Sequence, residues 1–176
     1  WPQRPLTLVV PYTPGSLTDI IARALTTRLG QSLGQPVTIE YKPGGGTAIG
    51  TRVVTQGPAD GYLMVMQGAS TVAVANLLNP NAGYQVEELD SVASVGYSSL
   101  AMVVTPGLAA RNVMDLVALA RSRPGGLTYA SAGNGSVGHL AVAYFSTLTG
   151  LTPQNLIMVP YKGSADAVLD RKSTRL

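Results

Sequence analysis

The sequence predicts an α/β fold with parallel strands, and three observations carry that reading. Short apolar runs rich in β-branched residues stand between Pro and Gly, as buried parallel strands do. Between them lie stretches with apolar residues at helical spacing. Strand and helix then alternate at lengths that suit βαβ units, which indicates a parallel sheet covered on both faces.

The elements follow in order. Leu6–Val10 is a continuous apolar run between Pro5 and Pro11. After the turn-rich Pro11-Tyr12-Thr13-Pro14-Gly15-Ser16, the residues Ile20, Ile21, Ala24, Leu25 and Leu29 recur at helical spacing. Thr18 and Asp19 suit the first turn of that helix, and Gly30 its stop. Val37–Tyr41 is the next strand, broken by Pro43-Gly44-Gly45-Gly46, which reads as a flexible turn. A short helix from about Ala48 to Gln56 leads to Asp60-Gly61 and a strand over Tyr62–Met66. Glu87, Glu88 and Asp90 look like a solvated helix start.

A second series begins near Ala101-Met102-Val103-Val104. Val113–Arg121 is helical, Pro124-Gly125-Gly126 turns, and Leu127–Ala130 is a strand. Ser131-Ala132-Gly133-Asn134-Gly135-Ser136 opens a helix whose Leu140, Tyr144 and Leu148 share one face, and Gly150 ends it. Ile157–Val159 is another strand, followed by Pro160-Tyr161-Lys162-Gly163. Leu6 to Tyr41 spans 35 positions and Leu127 to Tyr161 spans 34, each running strand, small-residue loop, helix, Gly, strand, Tyr-Lys. One sequence can produce such a match by coincidence; if it has not, it describes two similar lobes.

Composition narrows the function classes. The 176 residues are 45 % hydrophobic and 6 % aromatic, enough for a buried core. Twelve Lys and Arg against nine Asp and Glu give +3, but Arg171, Lys172 and Arg175 lie in the last six positions, so residues 1–170 balance. A nucleic-acid footprint needs clustered basic residues, and the body has no such run. No apolar run reaches the roughly 18 residues of a bilayer span. With one His and no Cys, Cys nucleophiles and Cys/His metal sites are excluded, and no nucleophile–base pair can be assembled. Gly133-x-Gly135-x-x-Gly138 matches a dinucleotide fingerprint, yet residues 151–161 hold no acidic partner for a ribose. No cofactor or metal is expected, and enzyme chemistry is not.

The two loops after Leu6–Val10 and Leu127–Ala130 are the places with chemistry. Both stand at the carboxyl end of a strand, where open α/β sheets bind ligands. Free N–H groups at a helix start attract anions. Gly15, Gly133 and Gly135 permit close approach, while Ser16, Thr18, Ser131 and Ser136 add hydroxyls. The alternative is a pair of ordinary βα connections with Ser/Thr caps. His139, in the first turn of its helix, reads as a packing or capping residue rather than a base.

Taken together, certain segments resemble the substrate-binding proteins of tripartite tricarboxylate transporters, the Bug family. They are Pro5-Leu6-Thr7-Leu8-Val9-Val10-Pro11, Pro14-Gly15 through Asp19 with Ala22-Arg23, and Lys42-Pro43-Gly44 with Ile49-Gly50. Asp60-Gly61-Tyr62, Tyr129-Ala130-Ser131-Ala132-Gly133-Asn134-Gly135-Ser136 and Val159-Pro160-Tyr161-Lys162-Gly163 complete the set. The resemblance implies a periplasmic-binding-protein-like fold of the type II, Venus-flytrap kind, with two parallel-sheet lobes, the second incomplete. It implies a periplasmic protein, its signal peptide removed, that captures a small carboxylate for membrane transporter subunits. A sensor component on the same scaffold is the alternative reading, and a small α/β hydrolase a third. Carried over by position, the ligand would meet Tyr12, Pro14, Gly15, Ser16, Thr18 and Asp19 in the first lobe. From the second it would meet Ser131, Ala132, Gly133, Asn134, Gly135 and Ser136, with His139 close by. Ser70, Thr71 and Tyr161 would also line the cleft. The family usually has a second Gly where Ser16 stands, which bears on ligand choice. The expected division is 1–102 for the first lobe, 103–170 for part of the second, and 171–176 for a foreign tail.

Overall fold

A computed structural model describes residues 1–78 and 81–172, and in it the two series form two separate parallel sheets. In the first, β1 (Leu6–Val10) lies between β2 (Val37–Tyr41) and β3 (Leu63–Val65), giving the order β2-β1-β3. Leu6 pairs with Val37 and Val10 with Tyr41 on one side, and Thr7 pairs with Leu63 on the other. The central strand is the continuous apolar one because both its faces are covered; Leu6, Val9 and Val10 are fully buried. The edge strand β2 alternates half-buried and exposed residues instead.

Helices α1 (Leu17–Leu33), α2 (Ala48–Thr55) and α3 (Ala69–Leu78) connect and follow these strands. Leu8, Val10 and Ala22 form a core with Tyr12, Val37, Ile39, Tyr41, Met64 and Met66 packed around it. That core seats α1 on the Leu8 and Val10 face. Right-handed crossovers over this strand order place α2 on the opposite face. Contrary to the sequence expectation, Gly30 does not stop α1: the helix continues to Leu33, and Gly34 ends it with a left-handed φ of 65°. Gly30 is small for a different reason. The returning chain passes over it, so that a Cβ there would stand 3.4 Å from the Gln35 carbonyl oxygen.

Past α3, a single 3-10 turn over Val86–Glu88 replaces the helix start expected there, with Glu87, Glu88 and Asp90 exposed. The second sheet consists of β4 (Leu127–Ser131) and β5 (Leu156–Pro160), with Leu127 opposite Leu156 and Ser131 opposite Pro160. Helices α4 (Val113–Ser122), α5 (Val137–Thr149) and α6 (Ser164–Lys172) accompany it. Its core is Leu116, Val117, Ala120, Leu127 and Leu151, closed by Leu119, Phe145 and Leu156. Of the residues sharing one face of α5, Tyr144 and Leu148 are each 67 % exposed, and Phe145 makes the packing contact. Ala101–Val104 does not open a strand; it lies in an exposed stretch without regular structure, and no strand pairs with it among the described residues. Helix α6 runs on through Arg171 and Lys172, the first two residues of the expected foreign tail; Ser173, Thr174, Arg175 and Leu176 lie outside the described residues.

Candidate functional site

The β1–α1 and β4–α5 loops are built alike, bond for bond. Ser16 caps α1 at φ −68°, ψ 161°, and Ser136 caps α5 at φ −66°, ψ 156°. The Ser16 hydroxyl oxygen accepts from the Asp19 N–H at 3.2 Å, and that of Ser136 accepts from the His139 N–H at 3.3 Å. Each third residue then reaches back. The Gly15 N–H donates to Asp19 Oδ2 at 2.7 Å, and the Gly135 N–H donates to His139 Nδ1 at 3.2 Å. Both are capping boxes whose return bond is made one residue earlier than usual. The repeat suggested by spacing is therefore a repeat of local geometry.

Asp19 and His139 occupy matched places with different chemistry. Asp19 is 2 % exposed and acts inside its own lobe: Oδ1 accepts from Arg23 Nε at 2.8 Å and from the Tyr41 hydroxyl at 2.6 Å. Burial alone would raise its pKa; the Gly15 amide, the Tyr41 hydroxyl and the Arg23 guanidinium outweigh burial and hold it below the usual aspartate value. Burial and the neighbouring carboxylate push the Tyr41 phenol up. At His139, acceptance by Nδ1 assigns the proton of the neutral imidazole to Nε2. A fixed negative charge holds one loop, and a neutral ring holds the other.

The serine hydroxyls are engaged as well. Ser131 Oγ and Ser136 Oγ pair at 2.7 Å, both residues being buried. Of the remaining expected residues, Pro14, Gly15 and Asn134 are exposed, while Tyr12, Thr18, Ala132, Gly133 and Tyr161 are half-buried. Gly135 is buried. Tyr161 hydrogen-bonds through its hydroxyl to Asp170. Ser70 and Thr71 fall in the first turn of α3, and their side chains lie outside the described residues.

Two further loops join the site; both lie in segments that carry the resemblance, but of their residues only Tyr161 is expected at the cleft. The loops meet crosswise between the sheets. The β1–α1 loop touches the start of α6: Thr13 Oγ1 donates to Asp166 Oδ2 at 3.3 Å, and a Cβ on Gly163 would stand 2.3 Å from Thr13 Oγ1. The β2–α2 loop touches the β4–α5 loop, where a Cβ on Gly46 would stand 2.2 Å from the Asn134 carbonyl oxygen. Within Gly44-Gly45-Gly46, Gly46 is thus the point of close approach. Gly46 also holds a left-handed φ of 62°. A signal exists in both cases, since Gly44–Thr47 and Gly163 are small residues directly ahead of helices, as in the two Ser-capped loops. Four helix starts, those of α1, α2, α5 and α6, therefore gather on one seam.

A cavity of about 420 Å³ opens beside α5 and β5 and shares only Asn134 and His139 with the loops. Its other walls include Val142, Ala143, Leu156 and Ile157, so the polar seam and this cavity are different places. Among the described residues no group of His, Cys, Asp and Glu could hold a metal ion, and no helix is long and apolar enough to cross a membrane.

Two parallel-sheet lobes with helix starts meeting between them define a periplasmic-binding-protein fold, and solved structures agree. One from R. palustris, Rpa4515 with adipate, is 33 % identical at a TM-score of 0.82, covering 100 % of this chain and 58 % of that one. The periplasmic binding protein BugD is 26 % identical at a TM-score of 0.77 over the same shares. Residues 21–176 match TctC, the tripartite tricarboxylate transporter family receptor. The chain belongs to that family, whose members are substrate-binding proteins. BugT of Bordetella pertussis is 38 % identical over 172 residues, 97 % of this chain and 52 % of that protein. The chain thus spans about half the length of the curated relatives it matches.

Proposed function

We propose that the complete protein is a periplasmic receptor that captures a small carboxylate, of di- or tricarboxylate type, and delivers it to tripartite transporter subunits. The carrying observation is the matched pair of Ser-capped loops on one seam between two sheets, backed by the starts of α2 and α6. Helix starts concentrate unpaired N–H groups and positive dipole ends, which favour an anion without needing a cation from a side chain. The adipate in Rpa4515 supports the ligand class.

In this reading Gly15, Ser16, Thr18, Gly133, Asn134 and Gly135 approach the ligand, with Tyr12, Pro14, Ser131, Ala132, Tyr161 and the first turn of α3 around them. Asp19, His139 and Ser136 act one step back, holding the loops in shape. Residues 1–102 form the first lobe and 103–170 part of the second. A receptor coupled to a sensor would share this cleft and differ only in its partner.

The test is a thermal melt of this chain and of one extended after Asp170 by a family-like continuation, each with a panel of carboxylates. Ligand that binds only the folded state raises the melting temperature with concentration. Carboxylate-dependent protection of the extended protein is expected. No protection by any small carboxylate would overturn the proposal.

A further inference from the structure

We infer that the start of α2 is a separate arm of the ligand site, in which the Thr47 hydroxyl holds a carboxylate oxygen. This rests on the carboxylate-receptor reading above and adds a subsite that the β1–α1 and β4–α5 loops do not contain. Ser16, Asn112 and Ser136, the N-caps of α1, α4 and α5, each accept a hydrogen bond from the amide three residues on. Thr47, the N-cap of α2, makes no such bond. Its backbone is left-handed, φ 83° and ψ −9°, and it is the one non-glycine with positive φ among the described residues. A β-branched residue in that region is strained, and such strain concentrates at functional sites.

The hydroxyl that the turn withholds from the helix is buried. Thr47 is 3 % exposed, and its Oγ1 has no hydrogen-bond partner. Two neighbouring polar atoms share this condition, Gln67 Nε2 and the Tyr84 hydroxyl. Turning the Gln67 amide over would give Nε2 the Thr51 hydroxyl at 3.0 Å, while Thr51 donates to the Thr47 carbonyl oxygen, and would leave Oε1 in the unpartnered place, where an acceptor is wanted in place of a donor. The Tyr84 hydroxyl adjoins the same Thr51. No such exchange serves Thr47 Oγ1, and a buried hydroxyl without a partner is costly.

Position supplies the ligand. Gly46, directly before Thr47, presses against the Asn134 carbonyl, so the α2 start stands at the seam opposite the β4–α5 loop. A helix start together with an unpartnered buried donor suits an anionic oxygen. A carboxylate arriving there would give Thr47 its missing partner and span to the second lobe.

The experiment titrates adipate into the full-length receptor and its Thr47→Val and Thr47→Ser variants by calorimetry, with melting temperatures measured alongside. Valine keeps the branched shape and removes only the hydroxyl; serine keeps the hydroxyl. The expected result is an affinity loss of about 10- to 100-fold for Thr47→Val, with its ligand-free melting temperature undiminished. Thr47→Ser should stay within about threefold of the parent. Undiminished binding by Thr47→Val, or an equal loss in both variants, would overturn the inference while leaving the receptor reading intact. A parent protein that binds no small carboxylate would overturn both.

Discussion

The two capped loops share their backbone and differ in the residue that ties them down. In the first lobe an ionised, buried Asp19 draws together a backbone amide, a guanidinium and a phenol. In the second, neutral His139 takes one amide, and the serine pair completes the turn. The same shape is thus reached once by a charged network anchored to α1 and β2, and once by a lighter, uncharged set. A fixed anion at every helix start would oppose an anionic ligand. The uncharged latch leaves the α5 dipole without a fixed anion in its own first turn, whereas α6 carries Asp166 there.

The contrast predicts unequal costs. Replacing Asp19 with Asn should lower stability by about 2–3 kcal/mol, since hydrogen bonds to a buried charge are lost and Arg23 keeps no ionic partner. Chemical denaturation at neutral pH reads this directly. The pH dependence follows in sign: the folded state holds Asp19 below its unfolded value, so its contribution is present above the unfolded pKa and disappears as pH falls through the folded one. Between about pH 5 and 2, Asp19→Asn should therefore lose less stability than the parent.

Ser136→Ala should cost about 1 kcal/mol as a lost cap and partner of Ser131. It should also weaken carboxylate binding by loosening the loop; calorimetry showing no loss would remove Ser136 from the binding account. The smallest change is expected from His139→Asp. It keeps an acceptor for the Gly135 amide, so stability should stay within about 1 kcal/mol, while the added negative charge weakens adipate binding. Tighter adipate binding by His139→Asp would show that the comparison between the latches has no electrostatic meaning.

Much of this is legible in the amino-acid sequence. The strands stand out because buried parallel strands are apolar runs, and the loops because Gly and hydroxyl residues cluster at strand ends ahead of helices. What stays hidden depends on distant parts of the chain. Gly30 and Gly34 are indistinguishable in sequence; only the left-handed backbone at Gly34 marks the stop. Tyr144 and Leu148 look like core residues by spacing, and whether their face is covered depends on what packs there. The meeting of Gly46 with Asn134 joins residues far apart, and no local period announces it. Thr47 is the sharpest case, because a threonine before a helix reads as an ordinary cap until its φ is known.

The central claim is that this seam holds a carboxylate between two lobes in close contact, and Gly46→Ala tests it most directly. A methyl there meets the Asn134 carbonyl and opposes the left-handed backbone. Adipate titrated calorimetrically into the full-length receptor should bind the parent and lose at least about tenfold in affinity in Gly46→Ala, equivalent to about 1.4 kcal/mol. Parental affinity in Gly46→Ala would contradict the account, because the loops would then not need to meet in order to hold the ligand.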